Sequence, residues 1–567
     1  MSIQVTAMER VSARISFLMI FAGAFVILLI SKMAGIQIMH HQEYMQRAER
    51  QQTIEVSVEA RRGEIYDING YLLAGNVTEA AFSVYWPIVP PERTCEIDSL
   101  IVNLGSYSRL TIPVQYGTGN TIIADGVPWE YASQIMDSVS RYVDCSFVTR
   151  RIYPMAEDMV PVIGTHNENI SQGLEYHMKD ILEGTDGISF FQASGWSEYR
   201  AVDAGADNIL PVHGRDLCLT IDSRYQEIAQ KELELGVEIS GSRWGAVVVV
   251  NPDNGDILAL ASYPVFNEDG SLARNHCTQS ATEPGSVFKA VTLAAVLDAN
   301  TVSLSDSFDC TRSYVEICGH RINDSHSAGE FLDLTDVIAL SSNVGTVQLA
   351  STISDSLFHV YCLNFGFGRK TRIEFPGEQS GIITDVRNWS VLSKANLAIG
   401  QEVSATPLQI AMAYGAIANG GLLYRPRLIE STKEGGLLRP LAESPAHRVI
   451  SEETAAQVRS VLAAAVTRGT GRSAQVSGVT VAGKTGTAER LIQDGYLSAF
   501  AGMVPADNPR LVAVVVFDQP DYEYRWGSVL AAPAFERIVS RILSTSPEIA
   551  LGAPGPVDEM VAQGGGM

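Results

Sequence analysis

The chain has 567 residues, enough for roughly two to four domains, and 46% of them are hydrophobic while 19% are charged. This composition is typical of globular proteins and excludes disorder over most of the length. Acidic residues outnumber basic residues 64 to 41, which gives a formal net charge of -23. Such a charge repels phosphate backbones, so nucleic acid is a poor candidate partner.

The first predicted element is an apolar helix near the N-terminus. Residues 15–31 carry no charge, and a second uncharged run reaches Met39. This length is sufficient to cross a bilayer as a helix. The alternative is a cleaved signal peptide, whose apolar run is usually shorter and ends at a small-x-small site; none is evident after Lys32. The sequence therefore favours an uncleaved anchor over residues 15–37, after a cytoplasmic head over residues 1–14, with the long remainder exported.

Further segments give secondary-structure predictions along the chain. Residues 61–74 predict two strands around an Asn-Gly turn. Residues 216–234 predict a strand that leads into a helix capped by Asp222. Residues 245–263 predict a second hairpin. A late strand and a final helix are predicted over residues 511–517 and 531–543.

The seven cysteines are odd in number and scattered, so they do not indicate a disulfide framework. Cys310 and Cys318 bracket a short polar stretch and could close a hairpin disulfide outside the cytoplasm. With His320 and His326 nearby, a zinc site is an alternative, although the spacing matches no common zinc pattern. Free cysteines or one local disulfide are the simpler interpretations, and no metal is predicted.

The first chemical motif is Ser286-Val-Phe-Lys289. A Pro-Gly turn precedes it, and the apolar residues after it run nearly all round a helix, which is typical of a buried helix. A serine at the N-terminus of that helix would point its hydroxyl at free N–H groups. Lys289 lies one turn later on the same face, where burial favours the neutral amine. This pattern would bring a base next to a nucleophile.

The second motif is Ser341-Ser342-Asn343, which begins 55 residues after Ser286, at the start of another apolar helical pattern. Taken alone it is best explained as a helix cap, because Ser and Asn are favoured there. The catalytic interpretation is that Ser341 relays a proton and Asn343 donates its amide to a substrate carbonyl.

The third motif is Lys484-Thr485-Gly486-Thr487, which ends an alternating pattern that predicts a strand. Gly486 would let a substrate backbone lie against that strand, and Lys484 and Thr485 could hold an anionic carboxylate. The alternative is a glycine turn with a solvated lysine.

The order SxxK, SxN and KTG is the signature of active-site-serine penicillin-interacting enzymes. The chain resembles a monofunctional class B penicillin-binding protein, a peptidoglycan D,D-transpeptidase, over nearly its whole length. Asn343 makes the septal, division-type (FtsI-like) enzymes the subtype that it resembles most, because elongation-type relatives often carry Asp there. The other segments that carry the resemblance are residues 62–74, 153–164, 173–187, 365–382 and 397–429.

The resemblance implies an α+β fold with one N-terminal transmembrane helix. An elongated, non-catalytic pedestal (dimerisation) domain over residues 38–205 would follow the anchor. A β-lactamase-like transpeptidase domain over residues 206–546 would hold a five-stranded antiparallel sheet flanked by helices, with the KTG motif on an edge strand beside the SxxK helix. Residues 547–567 would form a flexible tail. The protein would lie in the cytoplasmic membrane with its catalytic domain outside the cytoplasm.

The resemblance also assigns roles to the first two motifs. Ser286 would attack the carbonyl between the last two D-alanines of a stem peptide, and D-alanine would leave as an acyl-enzyme forms. An amine of a neighbouring stem peptide would then attack the acyl-enzyme carbonyl and release Ser286. Lys289 would be the base for acylation, although the identity of that base is disputed across these enzymes. Ser341 would pass a proton to the leaving nitrogen, and Asn343 would orient the substrate.

In the third motif, Lys484, Thr485 and Thr487 would bind the terminal carboxylate of the substrate beside Gly486. The backbone N–H groups of Ser286 and Thr487 would form the oxyanion hole. β-Lactams would imitate D-Ala-D-Ala and remain bound. The resemblance implies no cofactor and no metal.

The expected partners are peptidoglycan stem peptides, β-lactams, a SEDS-family glycan polymerase (FtsW or RodA type) and other division proteins. Three alternatives stay open: an elongation-type transpeptidase, a D,D-carboxypeptidase and a catalytically idle scaffold of a wall-synthesis complex. A class A β-lactamase is less favoured. Such an enzyme would have about half this length, and it would carry an ExxxN segment between the second and third motifs, which this sequence lacks.

Overall fold

The computed structural model of the chain divides into two compact units, each described here by itself. One unit is built from residues 1–61 and 183–214, and the other from residues 62–182 and 215–567. The structure describes residues 2–110, 119–135, 142–167, 170–194, 198–201, 208–325, 329–489 and 495–551.

The helices of the described residues are α1 (Ser2–Ala34), α2 (His41–Gln52), α3 (Thr94–Gly105), α4 (Trp129–Ile135), α5 (Ala156–Ile163), α6 (Gly173–His177), α7 (Lys179–Leu182), α8 (Ser223–Ser240), α9 (His276–Gln279), α10 (Lys289–Asp298), α11 (Leu334–Ala339), α12 (Asn343–Ser351), α13 (Asp355–Asn364), α14 (Ser393–Ala398), α15 (Pro407–Ala418), α16 (Glu452–Thr467), α17 (Ala531–Thr545) and α18 (Glu548–Leu551).

The strands are β1 (Thr53–Val58), β2 (Ile65–Tyr66), β3 (Leu72–Tyr85), β4 (Asn120–Pro128), β5 (Val143–Ile152), β6 (Gly187–Ser194), β7 (Glu198–Ala201), β8 (Asp216–Leu219), β9 (Trp244–Val250), β10 (Ile257–Tyr263), β11 (Ser307–Cys310), β12 (Tyr314–Ile317), β13 (His320–Asn323), β14 (Glu330–Asp333), β15 (Ile382–Ile383), β16 (Val403–Ser404), β17 (Leu422–Tyr424), β18 (Ile429–Glu434), β19 (Leu437–Pro440), β20 (Ala446–Arg448), β21 (Ala482–Glu489), β22 (Tyr496–Val504) and β23 (Leu511–Asp518).

The first unit begins with helix α1, which continues as a π-helical turn over Gly35–Met39. Within it, Val11–Met39 is the one segment of the described residues that is long and apolar enough to cross a membrane. The apolar helix predicted over residues 15–37 lies inside this segment, and α1 also includes most of the predicted head. Strands β1, β6 and β7 form an antiparallel sheet in the same unit.

The second unit contains the five-stranded antiparallel sheet that the family resemblance implies, in the order β10-β9-β23-β22-β21. The sheet is covered on both faces, which is why β9 is a continuous apolar run with every residue buried. Val247 and Val249 face a core formed with α8 and α17. Val248 and Val250 face the other core, to which α10 and α15 contribute. Strand β21, the last in this order, lies at the edge of the sheet.

The second sheet of this unit has the order β19-β18-β8-β2-β3-β4, and β5 also pairs with β3. Its elements confirm the hairpin predicted over residues 61–74 and the strand-to-helix segment predicted over residues 216–234. The Asp222 side chain caps α8 by accepting a hydrogen bond of 2.9 Å from the Arg224 N–H.

A fully buried carboxylate joins three segments of this unit. Glu175 of α6 is paired with Arg62 at 2.8 Å and with Arg151 of β5 at 2.7 Å. The Tyr153 hydroxyl lies 3.3 Å from the same carboxylate. Because a buried carboxylate is stable only when it is paired, this cluster ties α6, β5 and the segment before β2 together.

The structure also shows the C-terminal elements and the cysteines. The predicted late strand and final helix are β23 and α17. In the predicted tail, Glu548–Leu551 form a short helix, and residues 552–567 lie outside the described residues. Cys310 and Cys318 are not paired: Cys310 is buried on β11, whereas Cys318 is exposed in the β12–β13 turn. His326, the other residue of the alternative zinc site, also lies outside the described residues.

Candidate active site

The first motif lies in a tight turn at the start of a buried helix. Ser286 belongs to a 3₁₀ turn over Gly285–Phe288, and the α-helix begins only at Lys289, three residues later than the sequence predicts. Gly285 has φ +56°, and its N–H donates to the Gly400 carbonyl at 3.1 Å. The left-handed glycine and its bond to a neighbouring loop favour the tighter turn at this helix start. Ser286 itself is half-buried.

Lys289 connects the first motif to the second. Its side chain is completely buried, and Nζ donates to the Ser341 carbonyl and to Asn343 Oδ1, both at 2.7 Å. The Ser341 hydroxyl lies 3.4 Å from the same Nζ. Burial lowers the pKa of Lys289 well below its usual value, and the positive charge of Lys484 lowers it further, whereas Asp324 opposes both effects. This environment favours a neutral amine beside two acceptors and a hydroxyl.

The second motif is both a helix cap and part of the site. The Ser342 side chain caps α12 by accepting from the Gly345 N–H at 3.0 Å, as the cap interpretation predicts. This capping role leaves Ser341 and Asn343, on either side, to face Lys289. Ser341 has φ +62°, a left-handed conformation that costs a serine about 1–3 kcal/mol. Such strain persists only where the surrounding contacts hold the residue in place.

Asp324 supplies contacts that the sequence analysis did not predict. It follows strand β13, and its carboxylate accepts hydrogen bonds from the N–H groups of Asn343 and Val344 and, at 2.9 Å, from the Ser342 hydroxyl. The preceding residue, Asn323, accepts a bond of 2.7 Å from the Asn343 side-chain amide. The end of the β12–β13 hairpin therefore fixes both the backbone and the side chain of the second motif.

The third motif lies on strand β21, as the alternating pattern predicts, and β21 is an edge strand, as the resemblance implies. Lys484 is completely buried, and burial lowers its pKa to about 7. Its Nζ lies 3.2 Å from the Thr485 carbonyl and 3.5 Å from the hydroxyl of Thr470. That hydroxyl is 2.6 Å from the Thr485 hydroxyl. Thr470, in the loop after α16, was not predicted, because nothing in its local sequence distinguishes it from a turn residue.

Gly486 lets the third motif approach the first. A Cβ at this position would lie 3.0 Å from Val287 Cγ1 and 3.1 Å from the Pro284 carbonyl, so a side chain would push β21 away from the turn that carries Ser286. On the other side of the motif, the Gly527 N–H donates to the Thr487 hydroxyl at 3.2 Å.

The structure thus brings all eight predicted site residues into one region of the second unit, through the Lys289 contacts and the close approach at Gly486. The arrangement combines a half-buried serine, two desolvated lysines, and hydroxyl and amide groups. It is suited to nucleophilic chemistry on a substrate that carries a carboxylate. No group of three or more His, Cys, Asp and Glu side chains with metal-binding geometry occurs among the residues that the structure describes.

Two family models match the chain. The penicillin binding protein transpeptidase domain matches residues 245–540, just over half of the chain, and the penicillin-binding protein dimerisation domain matches residues 57–189. The chain belongs to the class B penicillin-binding proteins. It is accordingly a serine-type peptidoglycan D,D-transpeptidase.

Relatives and solved structures of this class align with most of the chain. Stage V sporulation protein D of Bacillus subtilis is 31% identical, over 95% of this chain and 86% of the relative. The probable peptidoglycan D,D-transpeptidase PenA of Neisseria meningitidis is 29% identical, over 94% of both chains. The crystal structure of penicillin binding protein 3 of Mycobacterium tuberculosis superposes with a TM-score of 0.67 at 27% identity, and covers 88% of this chain and 99% of that one.

Proposed function

We propose that this class B penicillin-binding protein crosslinks stem peptides through an acyl-enzyme on Ser286. The observation that carries the proposal is the convergence of the three motifs: Lys289 Nζ contacts the second motif at 2.7 Å, and Gly486 brings the third motif against the Ser286 turn. Burial lowers the pKa of Lys289, and a lysine of lowered pKa one turn from a serine meets the requirement for activating a hydroxyl.

In the acylation step, the Ser286 oxygen attacks the carbonyl between the last two D-alanines, and its proton passes to the Lys289 amine. The C–N bond then breaks, and Ser341 delivers its proton to the nitrogen of the departing D-alanine while it takes a proton from the Lys289 ammonium, whose Nζ lies 3.4 Å away. Asn343 holds the substrate amide, and the N–H groups of Ser286 and Thr487 stabilise the oxyanion, at about 3–4 kcal/mol for each donor. An acceptor amine reverses these steps, forms the crosslink and releases Ser286.

The terminal carboxylate of the donor stem peptide binds at the third motif in this proposal. Lys484 supplies positive charge, and the hydroxyls of Thr485 and Thr487 supply donors. The hydroxyls of Thr470 and Thr485 are 2.6 Å apart, and this hydrogen bond supports the role because it orients the Thr485 side chain.

The acceptor decides between a transpeptidase mechanism and a carboxypeptidase mechanism. The full-length protein is reconstituted in vesicles with polymerised glycan that carries labelled pentapeptides, and the products are separated by mass. The proposal predicts dimers that have lost one D-alanine for each crosslink formed. Tetrapeptide monomers without dimers would indicate water as the acceptor and contradict it. The Ser286→Ala variant is the control and should give neither product.

We further propose that α1 anchors the protein in the cytoplasmic membrane with the catalytic part outside the cytoplasm. The length and apolar character of Val11–Met39 support the anchor, and the proposed orientation places the short N-terminal head inside. Cys318 is exposed and free, so it offers a direct test. Cys95 is also free and exposed, so the test uses a Cys95→Ser background. A membrane-impermeant maleimide should label Cys318 there in cells with a permeable outer layer, and the added Cys318→Ser substitution should remove that label. Labelling only after lysis would contradict the orientation.

The proposed cellular role is septal wall synthesis with a SEDS-family polymerase and other division proteins. The Asn343 position supports the division subtype by analogy with the family. A fluorescent fusion should gather at the division site, and depletion should block septation while elongation continues. Loss of rod shape with normal septa would favour the elongation-type alternative. β-Lactams are proposed as inhibitors that acylate Ser286.

A further inference from the structure

The helix of the second motif, α12, begins beside the carboxylate of Asp324, a residue from another part of the chain. Asp324 is half-buried and lies 18 residues before Ser342, outside every motif of the sequence. Its two oxygens bond to three consecutive residues, Ser342, Asn343 and Val344. These bonds satisfy N–H groups at the start of α12 that otherwise have no partner in the helix.

We propose that Asp324 is a positioning residue of the transpeptidation site, which holds Ser341 and Asn343 in their reactive arrangement and supplies the negative charge that faces the Lys289 amine. The inference rests on the proposed function of Ser286 and Lys289. Asp324 touches no substrate in this account; it acts through the second motif.

The geometric part of the argument concerns the backbone. Ser341 is held in a left-handed conformation at φ +62°, directly before the residues that Asp324 binds. Without the carboxylate, the Ser341–Asn343 turn loses the contacts that hold this conformation, and a relaxed turn would move the Ser341 carbonyl and Asn343 Oδ1 away from Lys289 Nζ. Asn323 adds to the same constraint, because its carbonyl holds the Asn343 amide at 2.7 Å.

The hairpin that carries Asp324 is itself packed on the site. Its apolar residues Val315, Ile317 and Ile322 pack against a small core that contains Val347 of α12. The Asp324 N–H also donates to the Ser313 carbonyl at 2.8 Å, which closes the hairpin end. The packed β12–β13 hairpin therefore holds the Asp324 carboxylate in position.

The electrostatic part of the argument concerns the charges around Lys289. Lys484 of β21 lowers the pKa of Lys289, and Asp324 raises it, against a larger lowering by burial. The Asp324→Asn substitution keeps an acceptor for the N–H groups but removes the charge. It should therefore lower the pKa of Lys289 further. If the neutral amine is the base, the acidic limb of the acylation rate must move to lower pH.

The test follows the acylation of full-length wild type, Asp324→Asn and Asp324→Ala by a fluorescent penicillin between pH 5 and pH 9. The matched control is Asp309→Asn, on β11, whose exposed carboxylate bonds only within its own turn. The acidic limb should move to lower pH in Asp324→Asn and stay in place in the control. In Asp324→Ala the plateau of the acylation rate should be about 10²-fold lower than in wild type, because the second motif is misplaced.

An acidic limb that does not move in Asp324→Asn, measured in protein that unfolds at the wild-type temperature, would overturn the inference. Because this readout is a position on the pH axis, a simple loss of stability cannot imitate it. If Asp324→Ala does not fold, the Asp324→Asn profile still decides. Failure of wild type itself to acylate would instead refute the function proposed for Ser286, and the inference would fall with it.

Discussion

Lys289 Nζ donates to Asn343 Oδ1 at 2.7 Å, across 54 residues of sequence. This bond joins the SxxK helix to the SxN helix and leaves the Asn343 amide nitrogen directed at the Asn323 carbonyl. The lysine, rather than the serine, is therefore the residue around which the first two motifs are assembled. Predictions about the chemistry of the site start from its charge state.

Replacing Lys289 should slow acylation strongly, whether or not the new side chain carries a positive charge. Lys289→Met removes the amine, and Lys289→Arg introduces a group that cannot lose its proton in a protein. Both variants should acylate with penicillin about 10²–10⁴-fold more slowly than wild type, measured by stopped-flow fluorescence. The control is Lys394→Met, whose amine is paired with Asp355 away from the site. Near-wild-type acylation by Lys289→Arg would contradict a role as base.

Binding of the substrate carboxylate should weaken as the pH rises through about 7. Burial gives Lys484 a pKa of about 7, so the amine is charged below that pH and neutral above it. In the Ser286→Ala variant, which cannot acylate, the affinity for a D-Ala-D-Ala peptide should fall by up to about tenfold per pH unit above pH 7. Calorimetry between pH 6 and pH 9 measures this fall.

The matched variant for that measurement is Lys484→Arg in the same Ser286→Ala background. Arginine stays charged over the whole range, so its affinity should not vary with pH. If the two proteins gave the same pH profile, the change in affinity would come from another group.

A methyl group at Gly486 should impair acylation by spacing β21 from the Ser286 turn. The added Cβ would meet Val287 Cγ1 at 3.0 Å and the Pro284 backbone carbonyl at 3.1 Å. Gly486→Ala should acylate at least about tenfold more slowly, because misplacement of catalytic groups is costly. Gly105→Ala is the control, since its Cβ would enter open space at the end of α3. Equal rates in the two variants would show that the close approach is not required.

Removing the charge of Glu175 should destabilise the protein without altering the site. The substitution Glu175→Gln leaves the guanidinium groups of Arg62 and Arg151 without their buried counter-ion. The expected loss is about 3–5 kcal/mol of unfolding free energy, measured by denaturant unfolding of the second unit in the full-length protein. Glu227→Gln breaks only an exposed pair with Lys231 and should cost less than about 1 kcal/mol. Similar losses in the two variants would contradict the assigned importance of the buried cluster.

Much of the fold and most of the site could be predicted from the sequence, for identifiable physical reasons. Continuous apolar runs such as β9 and β23 predict buried strands, and the three motifs predict the eight residues that the structure brings together. Asp324 and Thr470 escaped prediction because their importance comes from contacts across long sequence separations. No periodicity or local motif marks such residues.

The start of the SxxK helix shows a second limit. A serine after Pro-Gly favours a helix start, but the structure begins with a 3₁₀ turn, and the Gly285 N–H at its start binds the Gly400 carbonyl of a distant loop. The propensity of the local sequence cannot contain that bond. The sequence therefore predicted the helix and its buried character, and placed its α-helical start three residues too early.

The most direct test of the central claim is the site of acylation. Full-length wild type and Ser286→Ala are incubated with a fluorescent penicillin, and intact mass and peptide mapping are followed over hours. The account predicts one stable adduct on wild type, on the peptide that contains Ser286, and none on the variant. An adduct that persists in Ser286→Ala, or one that maps to another residue, would contradict it.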